Sequence, residues 1–149
     1  MVATPIQRKR YPMSREDFNC LAEGPPYYDY VNGEAIGLNR PGARHQDILV
    51  CLVFALRQYI RAGDLGMVAA DSDMELPTGT IFAPDIMFLS KDRPDQCDAL
   101  KGDLHGAPDL MVGIHSYSTM AYDRLEKTAF CREAQVGWIW FVEQDSLSI

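Results

Sequence analysis

Few side chains in this sequence are placed to do chemistry, and Asp85 leads them. It follows Pro84 and opens the run Ile86-Met87-Phe88-Leu89. A carboxylate in an apolar strand is costly unless it is paired or metal-bound. Asp85 therefore either holds a cation or sits at a strand end, facing solvent or capping a backbone N–H. His115 closes a second apolar run, Leu110 to Ile114. An imidazole there is a weak metal ligand or a proton carrier, poor for Mg2+ and better for Mn2+, Zn2+ or Ni2+. The plain alternative is a hydrogen-bonded strand histidine. Lys127 has Asp123 four residues before it, the order that suits an exposed helical ion pair worth roughly 0.3–0.5 kcal/mol. His45 heads a helix and Glu34 follows the dipeptide Asn32-Gly33 directly. Either can line a cleft or simply face solvent.

The elements that must position these residues follow from local patterns. Ser14-Arg15-Glu16-Asp17 reads as an N-cap with an acid at N3, opening a helix to about Leu21. Tyr27 to Leu38 is a hairpin around Asn32-Gly33, the pair that supplies the two positive φ values of a type I′ turn. From about His45 to Ala62, the residues Ile48, Leu49, Leu52, Val53, Leu56 and Ile60 recur at helical spacing. Leu65–Leu76 and Thr80–Leu89 read as strands around Pro77-Thr78-Gly79, and Ser90 to Gly106 as a polar loop. Leu110 to Ser116 is apolar on nearly every residue, as a strand covered on both faces requires. A helix capped by Ser118 or Thr119 runs to about Ala134. Trp138 to Val142 closes the chain as a fourth core strand, its tryptophans in the core. After the hairpin the order is α-β-β-β-α-β, a mixed α/β sheet with helices on its faces.

The 149 residues fit one domain, with residues 1–13 a flexible basic tail around Arg8-Lys9-Arg10. That cluster is a solvated tail or a phosphate-contacting arm. No apolar run approaches the roughly 20 residues of a membrane span, and the N-terminus lacks the apolar core of a secretory signal. Four scattered cysteines without a C-x-x-C pair argue against structural zinc and a disulfide framework, and point to reduced thiols in a cytoplasm. The net charge of −7 counts against broad nucleic-acid binding. It does not count against a cleft of carboxylates around a cation, where the metal reverses the local sign.

Certain strings then follow one another in order: Tyr28-Asp29-Tyr30-Val31-Asn32-Gly33-Glu34, His45, Ala83-Pro84-Asp85-Ile86, Ala107-Pro108-Asp109-Leu110-Met111-Val112, Ser116-Tyr117-Ser118-Thr119, Asp123-Arg124-Leu125-Glu126-Lys127 and Trp140-Phe141-Val142-Glu143. Together, over residues 14 to 143, they resemble the Uma-two family, a branch of the PD-(D/E)XK restriction-endonuclease superfamily. The resemblance implies a restriction-endonuclease-like fold and a metal-dependent endonuclease that hydrolyses DNA. In such sites Mg2+ or Mn2+ sits between acids on neighbouring strands, with a lysine nearby, because hard cations want oxygen ligands and in-line displacement needs charge neutralised. It assigns Asp85 as first metal ligand and Lys127 as the catalytic lysine, with Glu34 and His45 bordering the cleft.

The second acid belongs at position 113, where this chain has Gly113. Asp109 cannot replace it, because four strand residues span roughly 13 Å. His115, about 6.6 Å along the same face, is the nearer substitute and falls where a strand-borne motif carries its lysine. Tyr117, Gln135 and Glu143 also depart from the family's proline, glycine and aspartate. The chain stops at Ile149 where family members continue, which reads as a decayed or truncated copy. The expectation is an endonuclease weakened or inactivated at Gly113. The competing readings are a catalytically dead nuclease fold that binds nucleic acid or a protein partner, and a structural module; a homodimer stays open.

Overall fold

A computed structural model describes residues 8–22, 24–93, 97–98, 103–116 and 122–146. Its first elements obey local rules. Arg10–Pro12 forms strand β1, and Arg15–Asn19 helix α1. Ser14 caps α1 by accepting from the Asp17 N–H at 3.1 Å, while its hydroxyl donates to the Asp17 carboxylate at 2.7 Å. Strands β2 (Tyr28–Val31) and β3 (Glu34–Gly37) pair antiparallel about Asn32 and Gly33, whose φ values of 50° and 80° make the type I′ turn. Strand β1 adds to the outside of β3, so residues 10–12, expected in a flexible tail, belong to a sheet.

Helix α2 (Ala43–Ala62) stops at Gly63 as its pattern requires. The next hairpin departs from the expected pair of long strands. Gly66–Ala70 (β4) pairs with Ile86–Ser90 (β7), and Met74–Glu75 (β5) with Ile81–Phe82 (β6). The register is the same on both sides of the break: Ala70 faces Ile86 and Met74 faces Phe82. Between them the ladder lapses, because Pro84 has no N–H to give and Asp71 takes a left-handed φ of 47°. One hairpin thus crosses two sheets, with its corner at Asp71–Asp73 and Ala83–Asp85.

The expected loop after β7 holds two short strands, β8 (Cys97–Asp98) and β9 (Asp103–His105). They extend a seven-stranded mixed sheet of order β1-β3-β2-β6-β5-β9-β8. Strands β10 (Leu110–His115) and β11 (Trp138–Glu143) run parallel and complete a four-stranded sheet, β11-β10-β7-β4. Between them come a π-helical turn, Tyr122–Glu126, and helix α3, Lys127–Glu133. The expected caps Ser118 and Thr119 lie outside the described residues.

The four-stranded sheet is covered on both faces. Leu49, Ile48, Leu52 and Val53 of α2 cluster with Ile86, Leu110, Val112 and Ile114 on one side. On the other, Phe130, Cys131 and Ala134 at α3 join Met87, Leu89 and Met111, together with Val31, Ile36 and Phe82 of the larger sheet. β11 is an edge strand that still sends Val142 into one core cluster and packs Ile139 and Phe141 against the other. Its Trp138 is 71% exposed and Trp140 37%, so the tryptophans are not core residues. Both stand across from apolar β10 partners, Leu110 and Val112, but α2 packs against β4 and β10 and leaves this edge open.

Candidate active site

The hairpin corner delivers Asp85 to the end of β10. β7 and β10 are antiparallel with Met87 opposite Met111 and Ile86 opposite Val112, so the next step of the register sets Asp85 beside Gly113. The carboxylate is gripped on both oxygens. Oδ2 accepts from the Ile114 N–H at 2.5 Å, and Oδ1 lies 3.0 Å from Nε2 of His45. Its peptide oxygen accepts from the Asp71 N–H at 3.3 Å, which ties the two arms of the corner together.

His45 sits in the first turn of α2, buried to 8% exposure, where the cleft-lining expectation allowed an exposed residue. The Asp85 hydrogen bond holds the imidazolium and raises its pKa; burial opposes this, and the charges of Asp85 and Asp71 add to it. Its Nδ1 is buried with no hydrogen-bond partner among the described residues. Asp71 is pushed up by partial burial first and by Asp85 second, with His45 and the Gln46 side chain pulling the other way. The corner therefore carries an acid–imidazole–acid row, of which the sequence reading had singled out Asp85 and His45 but not Asp71.

At position 113 no side-chain donor exists. A Cβ built there would meet the Phe141 ring at 3.2 Å and 3.3 Å, because Phe141 is the residue directly across on β11. The aromatic ring covers the strand glycine, an arrangement that recovers packing lost with the side chain.

Lys127 begins α3 with its side chain 13% exposed, largely out of solvent. Its ammonium lies 3.9 Å from the carboxylate of Asp29 and 5.8 Å from the Phe82 ring centre. Asp29 is fully buried on β2. The sequence reading passed over it, although alternation along the hairpin puts it on the inward face with Val31. Asp73 is raised by partial burial and then by the charge of Asp29.

The remaining candidates fall elsewhere. His115 is 1% exposed, its ring edge-on to Phe141 at 5.7 Å and its Nε2 3.9 Å from Glu143. It is a packed strand histidine. Glu34 binds Arg10 at 3.0 Å, and Arg10 also binds Glu126, so these form a surface tie between the first hairpin and the π-helical turn. Asp109 accepts from the Ser90 N–H at 2.8 Å and from Arg93 at 3.0 Å, at the far end of β10 from Gly113.

The donor set does not fit a Mg2+ or Mn2+ ion. Among the described residues, no three His, Cys, Asp or Glu side chains are arranged to hold a metal. Asp85 presents both oxygens to N–H donors, and its strand neighbour is a glycine. A hard cation needs several oxygens converging on one point, and of the strand pair Asp85–Gly113 only Asp85 supplies a carboxylate.

Comparison with known proteins shows likeness at the level of both family and fold. The model of the family Uma2, described as "Putative restriction endonuclease", matches residues 15–149. A crystal structure of a putative nuclease belonging to DUF820 from Anabaena variabilis superposes with a TM-score of 0.77 at 17% identity, covering 89% of this chain and 74% of that one. At that identity the likeness is one of fold. No curated protein matches the sequence.

Proposed function

The chain belongs to the Uma2 family of "putative restriction endonucleases", and on that premise we propose that it is a DNA phosphodiesterase whose activity is weakened or lost at position 113. The fold is that of a restriction-endonuclease-like protein. One observation carries the reading: Asp85, the acid expected to bind Mg2+ or Mn2+, stands beside Gly113, so the pair that should converge on a cation is one acid short. What the chain's own residues still offer is a carboxylate fixed by Ile114 and His45, and a lysine held inside the fold by Asp29. They do not neutralise both the attacking and the leaving oxygen.

The test is nicking of supercoiled plasmid at saturating Mn2+ by the natural chain, by Gly113→Glu and by Gly113→Glu with Phe141→Leu, which makes room for the new side chain. Removing one preorganised electrostatic contact typically costs on the order of 10²–10³ in rate, so the restored acid should raise cutting by about that factor, and Asp85→Ala should abolish the gain. If neither restored protein cuts faster than the natural chain, the reading fails.

Exposed Trp138 and Trp140 favour a second reading, in which the fold binds nucleic acid without cutting it. Surface aromatics stack bases with little regard to sequence. Loss of single-stranded DNA binding in Trp138→Ala and Trp140→Ala, with a natural chain that never cuts, would select this reading.

A further inference from the structure

We propose that the imidazole of His45 stands in for the cation at Asp85, so that this carboxylate serves as an anchor between α2 and β10 instead of as a metal ligand. The inference rests on the nuclease reading of the site and goes beyond it, because it places a second obstacle to metal binding on a residue other than Gly113.

The geometry is specific. A metal-binding carboxylate turns one oxygen to the ion while neighbouring donors orient the other. Asp85 turns one oxygen to the Ile114 N–H at 2.5 Å and the other to His45 Nε2 at 3.0 Å. The second bond needs only an Nε2–H, which either a neutral or a charged imidazole can supply. Both donors are rigidly held. Ile114 lies in β10 opposite Val142 of β11, and His45 is buried at the head of a 20-residue helix. One turn along that helix, Leu49 clusters with Ile86 and Ile114, the neighbours of the carboxylate on their own strands. Position 113 offers no second carboxylate to share a cation with Asp85, and the Phe141 ring crowds the space a side chain there would use.

The sign of one measurement separates this arrangement from its alternative. Were His45 an outer partner that orients a metal-binding Asp85, removing it would weaken metal affinity, typically by about 10–100-fold. A residue that occupies the cation's place gives the opposite result. Mn2+ binding would be followed by electron paramagnetic resonance, without DNA, on Gly113→Glu and on Gly113→Glu with His45→Ala. The expected result is binding at least about tenfold tighter without His45, the mirror of that outer-partner loss. Weaker or unchanged binding overturns the proposal. His45→Leu, which keeps more of the buried volume, is the second variant should His45→Ala not fold.

A metal-free urea titration of the natural chain tests the anchor directly. Asp85→Asn and His45→Leu should each lower the midpoint, and the double variant should lose less than the sum. Additive losses, or a midpoint that rises in Asp85→Asn, overturn it. Neither experiment reads cutting, so the nuclease reading can fail in the plasmid assay while the anchor stands, and the reverse.

Discussion

The ammonium of Lys127 lies 3.9 Å from the carboxylate of Asp29, between a helix start and a strand of the larger sheet, with both side chains largely out of solvent. Taking one partner out of a buried pair leaves a charge that burial penalises, at a cost of about 3 kcal/mol. Lys127→Met should therefore lower the free energy of unfolding in urea by roughly that amount. Asp29→Asn in the same background should restore part of it, since the amide carries no net charge. A midpoint unmoved in Lys127→Met would mean that the two groups are not coupled.

Gln135 stands where the family resemblance leads one to expect a helix-ending glycine. Its φ is 61°, left-handed, at the end of α3. The Val136 N–H bonds to the Cys131 carbonyl at 2.9 Å and the Gln135 N–H to the Arg132 carbonyl at 3.0 Å, the paired bonds of a Schellman cap that glycine usually closes. A non-glycine residue there costs on the order of 1–2 kcal/mol, while glycine adds unfolded-chain entropy of up to about 1 kcal/mol. Gln135→Gly should stabilise the protein by about 0.5–1 kcal/mol on this balance, measurable as a raised melting temperature with unchanged secondary structure.

What was legible in the sequence is what local chemistry dictates. Asn32-Gly33 set the first hairpin, Ser14 and Asp17 the cap of α1, and the periodic face from Ile48 to Ile60 the long helix. Asp85 was legible because an acid in an apolar run demands a partner. Which partner was not. His45 comes from a helix remote in sequence, and its approach depends on how α2 lies on the sheet. The corner at Asp71 and Pro84 was hidden for the same reason: the apolar pattern continues through it, and only the meeting of two sheets breaks the ladder. Trp138 and Trp140 read as core because their strand is apolar throughout. The exposure arises from the order of strands, which no short-range pattern records.

Gly113 and Phe141 make a third prediction. Alanine in a strand is favoured over glycine by roughly 0.5–1 kcal/mol, but here its Cβ would press on the Phe141 ring at 3.2 Å. Gly113→Ala alone should change stability by less than about 0.5 kcal/mol, the crowding offsetting the strand preference. In a Phe141→Leu background the same change should show its full strand gain. A double-mutant cycle that closes to zero would mean that the ring does not crowd position 113.

Cys131 should be chemically silent. It is fully buried, and burial pushes its thiol up to about 12, with Lys127 pulling weakly the other way. Only the thiolate reacts. At pH 8, Cys20 and Cys51, both exposed, should take up a thiol reagent quickly, while Cys131 reacts only as fast as the fold opens. Peptide mapping of the labelled sites over time checks the order.

The acid–imidazole row at the corner gives stability a definite dependence on pH. The folded pKa of His45 is raised, by the Asp85 hydrogen bond first and against the opposing effect of burial. The folded state thus holds this proton more tightly than the unfolded chain, whose histidine titrates near about 6.5. Its contribution is fully present below that pH and is lost as pH rises through the higher folded value. Asp71 and Asp73 are also raised, chiefly by burial. They too withdraw stability as pH rises, from the unfolded aspartate value of about 3.9 upward. The groups that face the imidazole are Asp85, Asp71 and the Ile114 backbone, and replacing His45 isolates its share of the dependence. Unfolding free energy followed by urea titration should fall from about pH 6.5 upward. In His45→Leu that fall should flatten, leaving the aspartate share in place. A slope above pH 6.5 that persists in His45→Leu would assign it to another group and would place the imidazole outside the row that its 3.0 Å contact with Asp85 defines.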